Sequence, residues 1–156
     1  MLKKVKKSRL RITGGRFAIV ASSYNRRYVD AMVRAAAACL RKARAGHVQI
    51  VRVPGAYEIP VVAARLAAEQ TPPLDAIICL GAILRGATTH AQLIAEAVTQ
   101  GLMQIQLQHG IPVIHEVLLF ENQQQAEVRC LGRDHNRGAE AANTALEMAQ
   151  VMRSLD

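Results

Sequence analysis

A run of small and polar residues in the middle of the chain has the composition of an anion-binding loop. Residues 81–90 read Gly-Ala-Ile-Leu-Arg-Gly-Ala-Thr-Thr-His. The spacing approaches that of a phosphate-binding P-loop, but Ala87 stands where that motif needs its lysine, so hydrolysis of a nucleoside triphosphate is disfavoured. A glycine-containing loop that enters a helix still offers backbone N–H groups and the positive end of the helix dipole to an anion. On the residues alone, a threonine that merely caps the helix is an equally good interpretation.

His90 stands at the start of the predicted helix, beside this candidate anion site. Imidazole titrates nearest to neutral pH, which suits a side chain that shuttles protons. The alternative is a surface histidine without a role, which is the commoner fate of a single histidine. His47 and His109 flank glycines at the ends of elements, and we expect both to be solvated. No pair of histidines has the spacing of metal ligands on one helix.

Other loop residues could bind a polar, planar or phosphorylated ligand. Glu58, within the segment Val-Pro-Gly-Ala-Tyr-Glu-Ile-Pro, is either a first-turn acid favoured by the helix dipole or an acceptor for a polyhydroxylated ligand. Tyr24, after the first predicted strand, either packs on the core or stacks on a planar heterocycle. Arg129 and Arg137 could each bind phosphate through two hydrogen bonds, although most arginines are simply solvated.

Strands and helices alternate along the chain and must position these loops. We predict strands over residues 16–21, 47–53, 75–80 and 112–119, and helices over residues 28–44, 59–70, 90–108, 122–130 and 138–153. Residues 81–89 are predicted to form the loop after the third strand. Four strand–helix units in series predict an α/β fold, a three-layer α/β/α sandwich around a four-stranded parallel sheet. Ligands of such sheets bind at the carboxyl ends of the strands, where these loops lie.

The composition is that of one globular domain. The chain has 156 residues, of which 51% are hydrophobic and 21% charged, and we expect a single domain over residues 12–156. No apolar run reaches the ~18 residues that cross a membrane, and the N-terminus lacks the apolar segment of a secretory signal. Three scattered cysteines favour reduced thiols over disulfides or a structural zinc site. These features predict a cytoplasmic protein without a membrane partner.

The net charge of +8 is concentrated in a short segment at the N-terminus. Residues 1–11 contain six of the 20 basic residues and no acidic one, so 14 basic residues face 12 acidic ones in the rest of the chain. We therefore expect a solvated, disordered basic tail rather than a basic domain surface. An electrostatic arm for RNA or another polyanion is the minority interpretation. Aromatic residues are only 3% of the chain, too few for a stacking platform, so nucleic acid is not an expected partner.

Taken together, these segments resemble the 6,7-dimethyl-8-ribityllumazine synthase family from about residue 12 onward. The matching segments, in the family's order and spacing, are residues 17–25, 53–60, 80–90 and 138–149. The resemblance implies a flavodoxin-like fold and a transferase that needs neither cofactor nor metal. The implied reaction condenses 5-amino-6-(D-ribitylamino)uracil with 3,4-dihydroxy-2-butanone 4-phosphate, giving 6,7-dimethyl-8-ribityllumazine, phosphate and water in the penultimate step of riboflavin biosynthesis.

The resemblance also implies roles for individual residues. It assigns proton transfer to His90 and phosphate binding to Ala87, Thr88 and Arg129. In the family the site lies between neighbouring subunits, and the adjacent chain donates the residues that match His115 and Arg129. His115 stands where the family usually has phenylalanine or another apolar residue. The residues implied to bind the pyrimidine and its ribityl chain are Tyr24, Ala56, Tyr57, Glu58, Ala82, Ile83, Leu84 and His115.

The resemblance implies a homo-oligomer, since the family is built on pentamers, some of which assemble into sixty-subunit shells. Riboflavin synthase is a candidate partner protein. Two hypotheses of other classes compete with the enzyme. A flavin- or lumazine-binding module without turnover would not require His90 together with Arg129. A shell protein whose basic tail packages polyanions would assemble but would not require His90.

Overall fold

A parallel β-sheet forms the middle layer of the protein. The computed structural model describes residues 14–69 and 71–156, so the predicted tail over residues 1–11 lies outside the described residues. The strands are β1 (Arg16–Ser22), β2 (His47–Val53), β3 (Ala76–Leu84) and β4 (Val113–Phe120). They lie in the order β2-β1-β3-β4, and all neighbours are parallel. This order is the flavodoxin-like one, and the predicted fold class is confirmed.

Helices cover both faces of the sheet. They are α1 (Arg26–Lys42), α2 (Ile59–Glu69), α3 (His90–His109), α4 (Gln123–Cys130) and α5 (Arg137–Ser154), with a 3-10 turn (Ala56–Glu58) before α2. One buried cluster joins α1, α4 and α5 to one face, and a second joins α2 and α3 to the other. Successive strand residues alternate between the two clusters, as Ile19 and Val20 do, which explains why the strands are apolar without interruption.

The third strand is longer than predicted, and this corrects the expected loop over residues 81–89. The pairing of β3 with β4 continues to Leu84, which lies opposite Phe120. The sequence predicts a strand that ends at residue 80, directly before Gly81, and an isolated glycine does often mark an irregularity in a strand. In the structure this glycine lies inside β3. A larger residue would be too crowded there, since a Cβ would approach Cγ1 of Val117 to 2.9 Å. The loop proper begins at Arg85.

The segment between α4 and α5 is fixed by one asparagine. The Oδ1 atom of Asn136 accepts hydrogen bonds from the backbone N–H groups of Gly138 at 2.8 Å and Ala139 at 3.2 Å, and so caps α5. Its Nδ2 atom donates to the carbonyl of Cys130, the last residue of α4, at 2.8 Å. At the same place α5 touches α1, because a Cβ on Gly138 would collide with the carbonyl of Met32. These contacts set where the arginines near β4 lie.

Within the two described ranges, no helix combines the length and apolar character needed to cross a membrane.

Candidate active site

A cavity of about 930 Å³ opens at the carboxyl edge of the sheet, among the loops that follow β1, β2 and β3. This volume is in the range of sites that enclose small molecules. Its position is the one expected for ligands of a parallel sheet. Nine of the residues singled out from the sequence line it, namely Tyr24, Ala56, Tyr57, Glu58, Ala82, Ile83, Leu84, Thr88 and His90.

One wall of the cavity is the free edge of β3. The strand pairs with β1 only as far as Leu80, so residues 81–84 have β4 as their strand partner on one side alone. Successive peptide groups of a strand point to alternate sides, so the backbone groups of Ala82 and Leu84 point away from β4. Both residues line the cavity. The extension of β3 beyond β1 therefore presents main-chain hydrogen-bonding groups to a ligand.

The loop after β1 is attached to both of its neighbours. Ser23 N–H donates to the carbonyl of Val53 at 2.7 Å and Tyr24 N–H to that of Pro54 at 3.0 Å, which continues the pairing with β2. Asn25 has a left-handed backbone, with φ of 55°, and its side-chain Nδ2 donates to the carbonyl of Ala82 at 2.7 Å. Tyr24 lies between these anchors and is 74% exposed while lining the cavity. Its ring is therefore available to a ligand rather than packed in the core.

The loop after β2 carries Glu58 and a second exposed aromatic side chain. The Gly55 N–H donates to Oε2 of Glu58 at 3.0 Å, so this carboxylate closes the start of the 3-10 turn. This hydrogen bond supports the interpretation of Glu58 as an acid that stabilises the first turn. The residue also lines the cavity, and Tyr57 beside it is 66% exposed. One carboxylate can serve both purposes because each of its oxygens accepts more than one hydrogen bond.

The N-terminus of α3 points its first turn at the same cavity. Thr89 is the cap residue but makes no side-chain hydrogen bond, whereas Oγ1 of Thr88 lies 3.4 Å from the N–H of His90. That contact is long for a hydrogen bond, so the capping interpretation of the threonines has weak support. Thr88 and His90 are both exposed and line the cavity. A hydroxyl, an imidazole and the positive end of a 20-residue helix therefore converge there.

Sequence reasoning missed several residues of the cavity wall. Leu93, Ile94 and Ala97 line it from α3. They follow His90 by three, four and seven residues, and that spacing places all of them on the same face of a helix. The helical spacing from His90 is therefore the sequence signal that identifies these three residues as part of the cavity wall. Asn25, Gly55, Gly86 and Ala91 also line the cavity.

Three residues that the resemblance assigns to the site do not line the cavity of their own chain. Ala87 lies in the loop between two residues that do line it, Gly86 and Thr88. His115 and Arg129 lie on β4 and α4, at the edge of the sheet. Among the described residues, no arginine of the same chain lines the cavity.

The ring of His115 is held by hydrogen bonds at both nitrogens. Its Nδ1 accepts from the N–H of Val117 at 3.1 Å, and its Nε2 lies 2.8 Å from Oγ1 of Thr99. The Thr99 hydroxyl donates to the carbonyl of Ala95 at 2.7 Å, so it accepts from His115 Nε2–H. This arrangement requires neutral imidazole, and burial also lowers the pKa of His115. A ligand could contact this residue through its ring but not through a free nitrogen.

A partly buried cluster of charges lies on the other face of β4. Burial raises the pKa of Glu116 to about 7; the charge of Glu140 adds to this rise, while Arg137 and Arg129 oppose it. Arg137 also forms an ion pair with Glu140 at 3.0 Å. Cys130 belongs to the same cluster, and burial raises the pKa of its thiol to about 12. Arg129 is thus held near acidic groups of its own chain, at the sheet edge.

The cavity is lined by an imidazole and a hydroxyl, groups that can exchange protons and donate hydrogen bonds. Among the described residues, no group of three or more histidine, cysteine or acidic side chains could hold a metal ion. The three cysteines are free, and burial raises the pKa of Cys79 to about 12, which makes it a poor nucleophile.

Comparison with known proteins identifies the family of the chain. The family model described as 6,7-dimethyl-8-ribityllumazine synthase matches residues 14–153. A protein of that name from Xanthomonas euvesicatoria pv. vesicatoria is 43% identical over 148 residues, covering 94% of this chain and 95% of the relative. A protein of the same name from Xylella fastidiosa is 44% identical, covering 94% of this chain and 95% of the relative. Another, from Stenotrophomonas maltophilia, is 42% identical and covers 90% of each chain. The chain therefore belongs to the 6,7-dimethyl-8-ribityllumazine synthase family.

Proposed function

We propose that the chain is a transferase of riboflavin biosynthesis that joins 5-amino-6-(D-ribitylamino)uracil to 3,4-dihydroxy-2-butanone 4-phosphate. The products are 6,7-dimethyl-8-ribityllumazine, phosphate and water. The observation that carries this proposal is one cavity lined by Thr88 and His90 at a helix N-terminus and by the exposed rings of Tyr24 and Tyr57. It offers an anion site, a proton shuttle and aromatic surfaces to one pair of substrates. Membership of the family supports the same reaction.

The reaction needs alignment and proton transfers more than it needs a strong catalyst. The 5-amino group of the uracil attacks the ketone of the butanone, and loss of water gives an imine. Phosphate is then eliminated, and the enol that this step leaves tautomerises to a new ketone. The ribityl-bearing nitrogen attacks that ketone, and a second water is lost. Holding two reactants in register supplies about 7–11 kcal/mol of the barrier, so one good acid–base group is sufficient. His90 is the candidate for that group, since it lines the cavity beside Thr88.

The phosphate is assigned to the loop before α3. The hydroxyl of Thr88 and the backbone N–H groups from Ala87 onward would bind its oxygens, assisted by the helix dipole. Elimination releases inorganic phosphate, and a site already arranged to bind its negative charge stabilises that charge as it forms. The arginine expected to share this task is Arg129 of an adjacent chain, since no arginine within residues 14–69 and 71–156 of the same chain lines the cavity.

The pyrimidine and its ribityl chain are assigned to the other walls. Tyr24 would stack on the ring, and the free edge of β3 over residues 82–84 would hydrogen-bond to it. The loop with Ala56, Tyr57 and Glu58 would bind the ribityl hydroxyls. The ring of His115 would contact the substrate from the adjacent chain by its face, because both of its nitrogens are engaged.

The oligomer proposed is a ring of five subunits, with sixty-subunit shells as its larger form. Large apolar side chains are exposed on the outer face of α2 and α3, which is the kind of surface that subunits bury. They include Val61 at 68%, Met103 at 53% and Leu107 at 75% exposure. We further propose a cytoplasmic location, a single domain over residues 12–156 behind a disordered basic tail, and riboflavin synthase as a partner that consumes the product.

A coupled assay tests this function. Purified protein is mixed with the two substrates without added metal, and lumazine absorbance and released phosphate are both followed. The expected result is the two products in equal amounts. Folded protein that binds lumazine but yields neither product would instead identify a binding module, and the enzyme assignment would be wrong.

A further inference from the structure

Arg85 connects three parts of the chain that surround the loop before α3. Its backbone N–H donates to the carbonyl of Phe120 at 2.9 Å, which adds one rung to the pairing of β3 with β4. Its Nε lies 2.9 Å from a carboxylate oxygen of Glu121, just after β4. In its third contact, its Nη2 donates a hydrogen bond of 2.8 Å to Oε1 of Gln92, in the first turn of α3.

These contacts enclose the part of the loop that lines the cavity. The cavity is lined here by Gly86, which follows Arg85 directly, by Thr88, and by His90, the first residue of α3. Gln92 is fixed in turn, because its Nε2 donates to Oε1 of Glu96 at 2.8 Å. The short segment between Arg85 and Gln92 therefore begins and ends at residues whose side chains are hydrogen-bonded to each other.

An ion pair within a single helix lacks this geometry. Arg65 and Glu69 form a pair at 3.1 Å within α2, and their side chains are 73% and 61% exposed. Such a pair within one helix connects nothing that is not already connected and contributes little. The Arg85 side chain is only 34% exposed and uses separate nitrogens for two different elements, which the planar guanidinium allows and an ammonium does not.

We propose that Arg85 is a positioning residue, which holds the loop over residues 86–89 and the first turn of α3 in the geometry that binds the substrate's phosphate. The inference rests on the proposed function, in which Thr88 and this loop bind that phosphate. Arg85 does not line the cavity, and its charge is matched by Glu121. Its effect on the phosphate is therefore transmitted by the backbone rather than by contact.

The test uses the whole chain and four variants, Arg85→Ala, Arg85→Lys, Glu121→Gln and the Arg85→Ala/Glu121→Gln double variant. Each substrate is varied in turn, and inorganic phosphate is added as an inhibitor that competes for the phosphate site. Displacements of about 1 Å in a site cost up to ~10²-fold, so a loosened loop should cost about tenfold. We expect Arg85→Ala and Glu121→Gln each to raise, by about tenfold, both the KM of the butanone phosphate and the Ki of inorganic phosphate. The pyrimidine KM should change less than about threefold.

The remaining variants separate positioning from charge. Arg85→Lys keeps the charge but not the two-element contact, so it should recover only part of the loss. The double variant should be no worse than Arg85→Ala, because both substitutions break the same connection. Arg65→Ala, which removes an ion pair away from the cavity, is the control and should behave as the wild type. Circular dichroism establishes that each variant is folded.

The outcomes are distinguishable. If Glu121→Gln lowers the phosphate KM, the released guanidinium binds phosphate itself and the positioning role is wrong. Full rescue by Arg85→Lys, or an unaffected Arg85→Ala enzyme, also overturns the inference but leaves the proposed function intact. A wild-type protein without turnover overturns the proposed function and this inference with it.

Discussion

The side chain of Asn25 donates a hydrogen bond of 2.7 Å to the carbonyl of Ala82, a residue 57 positions away in sequence. This bond ties the loop after β1 to β3 at the point where the two strands have ceased to pair. The left-handed backbone of Asn25, with φ of 55°, aims the amide, and asparagine adopts that conformation more readily than most residues. One side chain thus sets the distance between the Tyr24 loop and the free edge of β3.

Replacement of Asn25 by Asp should weaken binding of the pyrimidine substrate. The variant keeps the shape and tolerates the backbone, but it places a carboxylate against the Ala82 carbonyl. Loss of a buried partner costs about 1–3 kcal/mol, so we expect a KM for the pyrimidine raised by about tenfold and a lower melting temperature. Asn25→Gly, which keeps the backbone and adds no charge, should lose less. A wild-type pyrimidine KM for Asn25→Asp would show that this bond does not shape the site.

Replacement of His90 by Ala should slow turnover without disturbing assembly. A single acid–base group contributes about 10²–10⁴-fold, and alignment of the substrates persists without it, so we expect a loss of roughly ten- to a thousandfold in kcat. Stopped-flow or steady-state assays between pH 6 and 8 measure turnover, and the native mass of the variant shows whether assembly is unchanged. If the variant is as fast as the wild type, His90 is only the first residue of a helix.

Sequence patterns predicted the elements well because their causes are local. The alternating, β-branched segment over residues 47–53 is β2 as predicted, and Gly110, with φ of 62°, ends α3 where glycine was expected to end it. The length of β3 was underestimated because glycine in a strand interior depends on the neighbouring strand. Gly81 is there to make room for Val117, a constraint that arises only when β4 is paired.

The site was predictable to the extent that one loop carries it. Thr88 and His90 share a loop and a helix start, so their proximity follows from the sequence alone. The contacts of Asn25 with Ala82 and of Arg85 with Glu121 join distant segments, and no local pattern encodes them. The role of Arg129 cannot be predicted from local patterns for a different reason, since Arg129 is proposed to act in the site of another copy of the chain.

The charge cluster beside β4 predicts a dependence of stability on pH. The folded-state pKa of Glu116, about 7, lies above its ordinary value of 4.5, so the folded protein holds this proton more tightly than the unfolded chain. The contribution is complete below pH 4.5 and is lost as pH rises through about 7. Glu116→Gln removes this loss, and we expect it to raise the free energy of unfolding by about 1–3 kcal/mol at pH 8 but hardly at pH 4.5.

Urea unfolding at several pH values measures this effect. Glu69→Gln, at a carboxylate that is 61% exposed on α2, serves as the control and should show no comparable gain at high pH. A gain for Glu116→Gln that stays the same from pH 4.5 to 8 would show that folding does not raise the pKa of Glu116.

Replacement of Arg129 by Ala should raise the KM of the butanone phosphate at least tenfold. Phosphate is both the handle of that substrate and the leaving group, and a hydrogen bond to a charged group is worth about 1.5–3 kcal/mol. Arg129→Lys should restore only part of the loss, because lysine cannot bind two phosphate oxygens at once. The pyrimidine KM should change much less. If the phosphate KM and the rate are unchanged, Arg133 or Arg137 is the next candidate.

Mixing two impaired variants tests whether Arg129 acts across the subunit boundary. Arg129→Ala chains still supply His90, and His90→Ala chains still supply Arg129, so a mixed ring contains some complete sites at their boundaries. If each site combines His90 of one chain with Arg129 of a single neighbour, random co-assembly should leave about a quarter of the sites complete. We expect co-refolded mixtures to regain activity of that order, while each variant refolded alone remains slow. Mixtures that are no more active than the separate variants would place His90 and Arg129 in the site of one and the same chain.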